Sequence, residues 1–339
     1  MMMVSMATKA TAAGHEIVLQ TNGSEYNYQD ETYAPLEGTC GDRIWLVSTR
    51  HLSNEVCRAN LVNPNLAVSE LDACGRRLQS SLAEYQFAKT QGRQTVIYVH
   101  GNRTPASVAI ERGLTIYRFI ARYRCGEPID WVIWSWPSEQ HGILIHDARE
   151  KAKRTDAHGM YLAMFVRDNF DVDDAPTMIG YSFGGRVVTG SLHALAGGKL
   201  GGRTLPGAKV LGTPIRAGLV APAIEQSWLQ PCGYHGKATQ NLEKLVLMYN
   251  HRDSVLKRYW LLDRVRSSVA LGYSGPRVFG PRYDGSRLPV IARDFAQVIG
   301  HNHDELDYYQ KDCRASSEMA RLIHGTRPHS SNIEPAIAH

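Results

Sequence analysis

The chain has 339 residues, 43% of them hydrophobic and 21% charged, with a formal net charge of +5 at pH 7. This is an ordinary globular composition, long enough to bury a large core. No run of five or six Lys and Arg occurs, which argues against a nucleic-acid partner, and no stretch nears the ~20 uninterrupted apolar residues of a membrane span.

The basic clusters Lys151–Arg154 and Lys257–Arg266 are interleaved with acidic or apolar residues and read as solvated helix faces. Six cysteines are scattered at positions 40, 57, 74, 125, 232 and 313. None forms a C-x-x-C pair, so free thiols are expected and no metal cluster. The N-terminus has no basic segment leading into an apolar one, so no secretory signal is evident and the default expectation is cytoplasmic.

Residues 1–40, rich in Thr, Gly, Asn and Ser, read as a partly irregular extension. A strand is predicted over Arg43–Arg50. A helix is predicted over Leu71–Lys89, from Leu71, Leu78, Leu82, Tyr85 and Phe87. Thr95–Val99 is a β-branched apolar run, as expected of a buried parallel strand. A helix over Ser107–Tyr123, a strand over Trp131–Trp136 and a long amphipathic helix over Ile143–Asn169 follow. Trp131 and Trp134 are assigned to the core; Trp136 and Pro137, at the strand exit, are candidate pocket-lining residues.

Thr177–Tyr181 is the next strand. Its helix runs to Leu195 and ends at Gly197-Gly198. Ala217–Ala221 is preferred over Ala208–Leu211 for the strand after that, and Leu245–Tyr249 is a further buried strand. Leu256–Leu288 reads as irregular with one short helix, Val290–Val298 as the last strand and Leu306–Ile323 as one final helix. Strands alternating with helices predict an α/β fold: a mostly parallel, doubly wound sheet of about eight strands with helices on both faces. The expected organisation is one catalytic domain over residues 41–325 and a disordered tail over 326–339.

Gly180-Tyr181-Ser182-Phe183-Gly184 is a G-x-S-x-G pentapeptide between an apolar strand and a helix. That context turns a common pattern into a nucleophile elbow. The sharp turn lifts the Ser182 hydroxyl above the sheet edge, and the glycines leave room where strand and helix cross. The Phe183 N–H, at a helix N-terminus, then points toward a developing oxyanion. The plainer reading is that Ser182 caps the helix.

His100-Gly101-Asn102 follows directly on the strand Thr95–Val99. A second oxyanion donor is expected from this loop, at the Asn102 N–H or, second, at Arg103. Together with Tyr98-Val99 before it and Trp134-Ser135-Trp136-Pro137, these motifs resemble the α/β-hydrolase superfamily. They look particularly like uncharacterised bacterial serine hydrolases with an HGN-type oxyanion loop. The resemblance covers Arg43 to Ile323 and is specific for fold and catalytic type, not for substrate.

That resemblance implies the chain order serine, acid, histidine, with the base in a loop between the last strand and the last helix. His301 and His303, in Gly300-His301-Asn302-His303-Asp304, lie there; His324, His329 and His339 lie beyond. His303 matches the superfamily pattern better, with Asp304 after it as a helix cap and Tyr308 beyond; His301 stays as the alternative. Asp253 is the one carboxylate in the loop after Leu245–Tyr249 and is the expected acid, with Asp294 second. The expected activity is ester hydrolysis through an acyl-enzyme on Ser182, with no metal or cofactor and a small acyl substrate. Acyl transfer, thioester or peptide cleavage by the same residues, or a binding protein that has lost activity, are the alternatives. Glu225–Asn241 and Lys257–Leu288 are the segments expected to set specificity, with Tyr181 and Phe183 flanking the acyl site.

Overall fold

A computed structural model describes residues 41–72, 74–124, 126–140, 144–263 and 268–324. The expected N-terminal extension and C-terminal tail lie outside these residues, as do Cys40, Cys125, His329 and His339. The elements in chain order are β1 (Arg43–Ser48), β2 (Ala67–Leu71), β3 (Arg77–Gln79), α1 (Leu82–Lys89), β4 (Gln94–Val99), α2 (Ala106–Ala121), β5 (Ile129–Ser135), α3 (Leu144–Asn169), β6 (Thr177–Tyr181) and α4 (Phe183–Leu195). They continue with β7 (Lys199–Leu200), β8 (Arg203–Thr204), β9 (Ile215–Val220), β10 (Leu242–Tyr249), α5 (Trp260–Asp263), α6 (Leu271–Ser274), β11 (Val290–Asp294), α7 (Ala296–Ile299), α8 (Glu305–Gln310) and α9 (Cys313–His324).

The main sheet has nine strands in the order β11-β10-β9-β6-β4-β5-β1-β2-β3, one more than the expected eight or so. From β11 across to β1 every pairing is parallel. The hairpin β2-β3 adds antiparallel strands at one edge. Parallel strands covered on both faces are apolar throughout, and every residue of β5 and β6 is buried.

Two glycine contacts identify the layers. A Cβ on Gly218 would meet Met319 of α9, whereas Gly185 of α4 lies against the Leu219 side chain. Neighbouring residues of β9 thus face opposite helical layers, α9 on one side and α4 on the other. The sheet is doubly wound, the α/β-hydrolase architecture expected from the motifs.

Strand order also locates the functional edge. The chain leaves β4 through α2 to β5 on one side and leaves β6 through α4 to β9 on the other. Adjacent strands β4 and β6 therefore form a topological switch point, the place beyond the strand C-termini where open α/β sheets bind ligands. His100 follows β4 there, and Ser182 follows β6.

Four expectations are corrected. Leu71 and Leu78 belong to the β2-β3 hairpin, and only Leu82–Lys89 is helical. Asp72 organises the hairpin turn by accepting from the Cys74 and Arg76 N–H groups, with Gly75 at φ 78°. Ser81 then caps α1 by accepting from the Glu84 N–H, which fixes the helix start. The last strand stops at Asp294, whose carboxylate accepts from the Ala296 N–H and starts α7. The single final helix is two, α8 and α9, because Asp312 accepts from the Arg314 N–H and begins a new helix. Among the described residues, the segment from Leu256 holds a 3-10 turn at Leu256–Arg258 and two short helices, α5 and α6, rather than one helix.

Lys151 also departs from its reading as a solvated residue. Its side chain is fully buried and paired with Asp147 one turn earlier on α3, at 2.6 Å. Lys257 and Arg258 are exposed, as expected. Cys57, Cys74, Cys232 and Cys313 are free and exposed. No described helix is long and apolar enough to cross a membrane.

Candidate active site

Ser182 sits between β6 and α4 with φ 50° and ψ −115°. A non-glycine residue reaches this region only when its surroundings impose it. They are firm here: the Ser182 N–H donates to the Val220 carbonyl at 3.0 Å, and its own carbonyl accepts from the Gly185 and Ala223 N–H groups. Gly184 is where α4 crosses β4 most closely, since a Cβ there would stand 2.1 Å from the Val99 carbonyl oxygen. The Ser182 side chain makes no capping hydrogen bond to α4. The plain helix-cap reading therefore fails.

The hydroxyl meets a histidine instead. Ser182 Oγ lies 3.0 Å from His303 Nε2, and His303 Nδ1 lies 2.6 Å from Asp253 Oδ2. The three residues come from the ends of β6 and β10 and from the loop before α8. Their sequence separations, 121 and 50 residues, make this a product of the tertiary fold. Asp253 is fully buried; its other oxygen accepts from the Val255 and Leu256 N–H groups at 2.9 and 2.8 Å. Those bonds fix the carboxylate and leave Oδ2 for the imidazole. A carboxylate accepts from Nδ1–H, so Nε2 is the nitrogen presented to the serine.

The loop carrying His303 is held by further groups, of which Asn250, Arg112 and Glu305 were not named from the sequence. The Asn250 amide donates to the Gly300 carbonyl at 2.9 Å. The Tyr181 hydroxyl donates to the His303 carbonyl at 2.9 Å, and the two rings stack with centroids 5.3 Å apart. Asp304 caps α8 by accepting from the Leu306 N–H and pairs with Arg112 at 2.9 Å. Glu305, fully buried, accepts from the Tyr98 hydroxyl at 2.8 Å. Burial pushes the Glu305 carboxyl up to about 7. The Asp304 cap is a local signal and was expected; Asn250, Arg112 and Glu305 carry none, since each acts across the fold.

His301 is not brought to the serine. It is exposed, and its Nδ1 faces the Arg252 carbonyl at 3.0 Å. Asp294, the second acid candidate, pairs with His251 at the surface. His324 ends α9, away from this loop in sequence.

The His100–Thr104 loop runs beside the serine: a Cβ on Gly101 would stand 3.4 Å from Ser182 Cβ and 2.7 Å from the Tyr181 ring. His100 is fully buried and is a structural anchor of this loop. Its Nε2 accepts from the Trp136 N–H at 3.3 Å and its Nδ1–H donates to the Gly101 carbonyl at 2.9 Å. Burial, helped by the Arg50 guanidinium, pushes its pKa down to about 3, so the ring is neutral. Trp136 stacks on His100 and donates its indole N–H to the His100 carbonyl at 2.9 Å. With no exposure at all, Trp136 supports the loop rather than lining a pocket, which corrects its assignment. Thr104 Oγ1 donates toward the Gly101 and Asn102 carbonyls, at 3.3 and 3.2 Å, and ties the loop together. Arg103 takes φ 56°. Phe183, the first residue of α4, carries one of the N–H groups that a helix start leaves without an intrahelical partner.

No family model matches this chain, and no curated protein matches it. Solved structures resemble it at low identity. An inhibited esterase B from Lactobacillus rhamnosis is 15% identical, with 84% of this chain and 88% of that one covered and a TM-score of 0.39. A Pyrobaculum calidifontis esterase is 13% identical over 68% of this chain and 76% of its own, TM-score 0.34. Zea mays acyl-protein thioesterase 2 is 13% identical over 68% of this chain and 94% of its own, TM-score 0.33.

Proposed function

We propose that this chain is a serine hydrolase that cleaves a carboxylic ester, or a related acyl bond, through an acyl-enzyme on Ser182. The observation that carries the reading is the hydrogen-bonded series Asp253–His303–Ser182, at 2.6 and 3.0 Å. His303 Nε2 takes the hydroxyl proton as Oγ bonds to the substrate carbonyl carbon. Asp253 holds the imidazole tautomer and stabilises the imidazolium. The carbonyl oxygen, now negative, is bound by the Phe183 and Asn102 N–H groups.

Collapse breaks the bond to the leaving oxygen, which receives the proton from His303. Water then gives a proton to His303 and attacks the acyl carbon; the bond to Ser182 Oγ breaks, His303 returns the proton to that oxygen, and the free acid leaves. The residues named need no metal or cofactor for these steps. The test is a series of p-nitrophenyl esters of increasing acyl length, followed by stopped flow. A burst of one p-nitrophenol per enzyme, absent in Ser182→Ala, supports the acyl-enzyme. Folded wild-type protein inert toward the whole series would refute it. An added alcohol that diverts the acyl group from water would identify acyl transfer by the same residues.

A further inference from the structure

Arg186 lies in the first turn of α4, four residues after Ser182 in the chain. Helical side chains lean toward the N-terminus, which brings a long residue here back to the level of the serine. Its guanidinium stands 5.6 Å from the ring of Phe183, the residue next to the nucleophile, and 4.4 Å from that of Trp228. Trp228 and Tyr259 come from the two segments that leave β9 and β10 at the functional edge. Arg186 is 6% exposed.

A cation so buried calls for an anion. Among the described residues, no carboxylate lies within ion-pair distance of it. Its hydrogen bonds are long and go to neutral oxygens: Nε to Thr155 Oγ1 at 3.3 Å and Nη1 to Tyr259 Oη at 3.2 Å. Asp156 is the acid nearest in effect. Its carboxylate is engaged by the Tyr234 hydroxyl at 2.6 Å; burial raises its pKa, and the Arg186 charge, acting from beyond ion-pair distance, lowers it in part. The two aromatic faces hold the guanidinium in place and leave Nη2 without a partner among the described residues. A planar donor pair held this way suits a carboxylate.

We propose that Arg186 is a specificity residue that binds a carboxylate carried by the substrate ester, so that the enzyme prefers anionic esters to neutral ones of the same shape. This rests on the hydrolase reading of Ser182 given above.

The experiment compares matched pairs of substrates. On the acyl side these are 4-nitrophenyl hydrogen adipate and the corresponding adipamate. On the leaving side they are 4-(butyryloxy)benzoate and 4-(butyryloxy)benzamide. Wild type is expected to favour the carboxylate in one pair by about tenfold or more in kcat/KM. The pair that shows the preference identifies the side. In Arg186→Met the ratio should fall toward one. If that variant does not fold, Arg186→Lys should lower the ratio by about threefold or more, since a point charge replaces a planar fork. A purely structural stacking role would lower both rates of a pair together and leave the ratio unchanged. Equal rates within both pairs for wild type, or a ratio unchanged in the folded variants, would overturn the proposal. A fluorophosphonate run in parallel separates the two claims. Labelling of Ser182 with equal rates sinks only the Arg186 role; no labelling and no hydrolysis sink the hydrolase reading and this inference with it.

Discussion

Tyr181 and His303 are joined twice: the phenol donates to the histidine's main-chain carbonyl at 2.9 Å, and the ring stacks against the imidazole. The residue before the nucleophile thereby positions the loop of the base. Tyr181→Phe keeps the stacking and removes the hydrogen bond, leaving a carbonyl with one partner fewer. The expected cost is about 1–2 kcal/mol of stability, read by urea denaturation. A drop in kcat with KM little changed is expected with it, since base and nucleophile would lose alignment rather than contact with substrate.

Ser182→Ala and His303→Ala should each lower kcat by about 10⁴ or more, and the double variant should fall little further. Residues acting as one unit are not additive. Asp253→Asn should cost about 10⁴, because the amide favours the wrong imidazole tautomer. Additive losses in the double variant would contradict a shared proton path.

His301→Ala separates the two histidines of the loop. His301 is exposed and faces only the Arg252 carbonyl, so its removal should leave kcat/KM within about threefold of wild type. Loss on the scale of His303→Ala would reverse the assignment.

Gly184→Ala tests the crossing of α4 over β4. The new methyl would stand 2.1 Å from the Val99 carbonyl oxygen, a backbone atom that cannot rotate away. Destabilisation above about 3 kcal/mol, or failure to fold, is expected. Gly101→Ala meets the Tyr181 ring at 2.7 Å, and Tyr181 is itself pinned to His303. Activity should fall there more steeply than stability.

Acid stability follows from buried rings. His100 and His158 are pushed down to about 3 and His193 to about 4, each chiefly by burial, from 6.5. Below 6.5 the unfolded chain binds protons that the folded one refuses, so their contribution is lost as pH falls from 6.5 toward 3. Glu305 runs the other way. Its carboxyl is raised from 4.5 to about 7, so its contribution is present below 4.5 and lost as pH rises toward 7. Glu305→Gln should therefore make stability climb more steeply between pH 4.5 and 7 than in wild type. Denaturation midpoints across that range check it; parallel curves would contradict it.

Much of the sheet was legible because parallel strands are apolar runs, and β4, β5, β6 and β10 each stand out as one. The residues proposed for the site stand out in the sequence for a related reason. Ser182 and the Asn250–Asp253 loop follow directly on such runs, and the Gly300–Asp304 loop comes after the last strand and the short helix α7. The choice of His303 over His301 was carried by a resemblance; His303 Nε2 lies 3.0 Å from Ser182 Oγ, whereas His301 Nδ1 faces the Arg252 carbonyl. The β2-β3 hairpin was misread because Leu71 and Leu78 fit a helical spacing as well as strand positions. The turn at Asp72–Arg76 and the Ser81-x-x-Glu84 box were the overlooked signals. Trp136 was singled out but given another role, and Asn250, Glu305 and Arg186 left no local trace. Their partners lie far away in sequence, and only the closed sheet brings them together.

The central claim is that Ser182 is activated by His303. Mass spectrometry after reaction with a fluorophosphonate tests it most directly. The account predicts one adduct per chain, on the peptide that contains Ser182, absent in Ser182→Ala and strongly slowed in His303→Ala. Folded wild-type protein that takes no adduct, or an adduct that persists in Ser182→Ala, would contradict it.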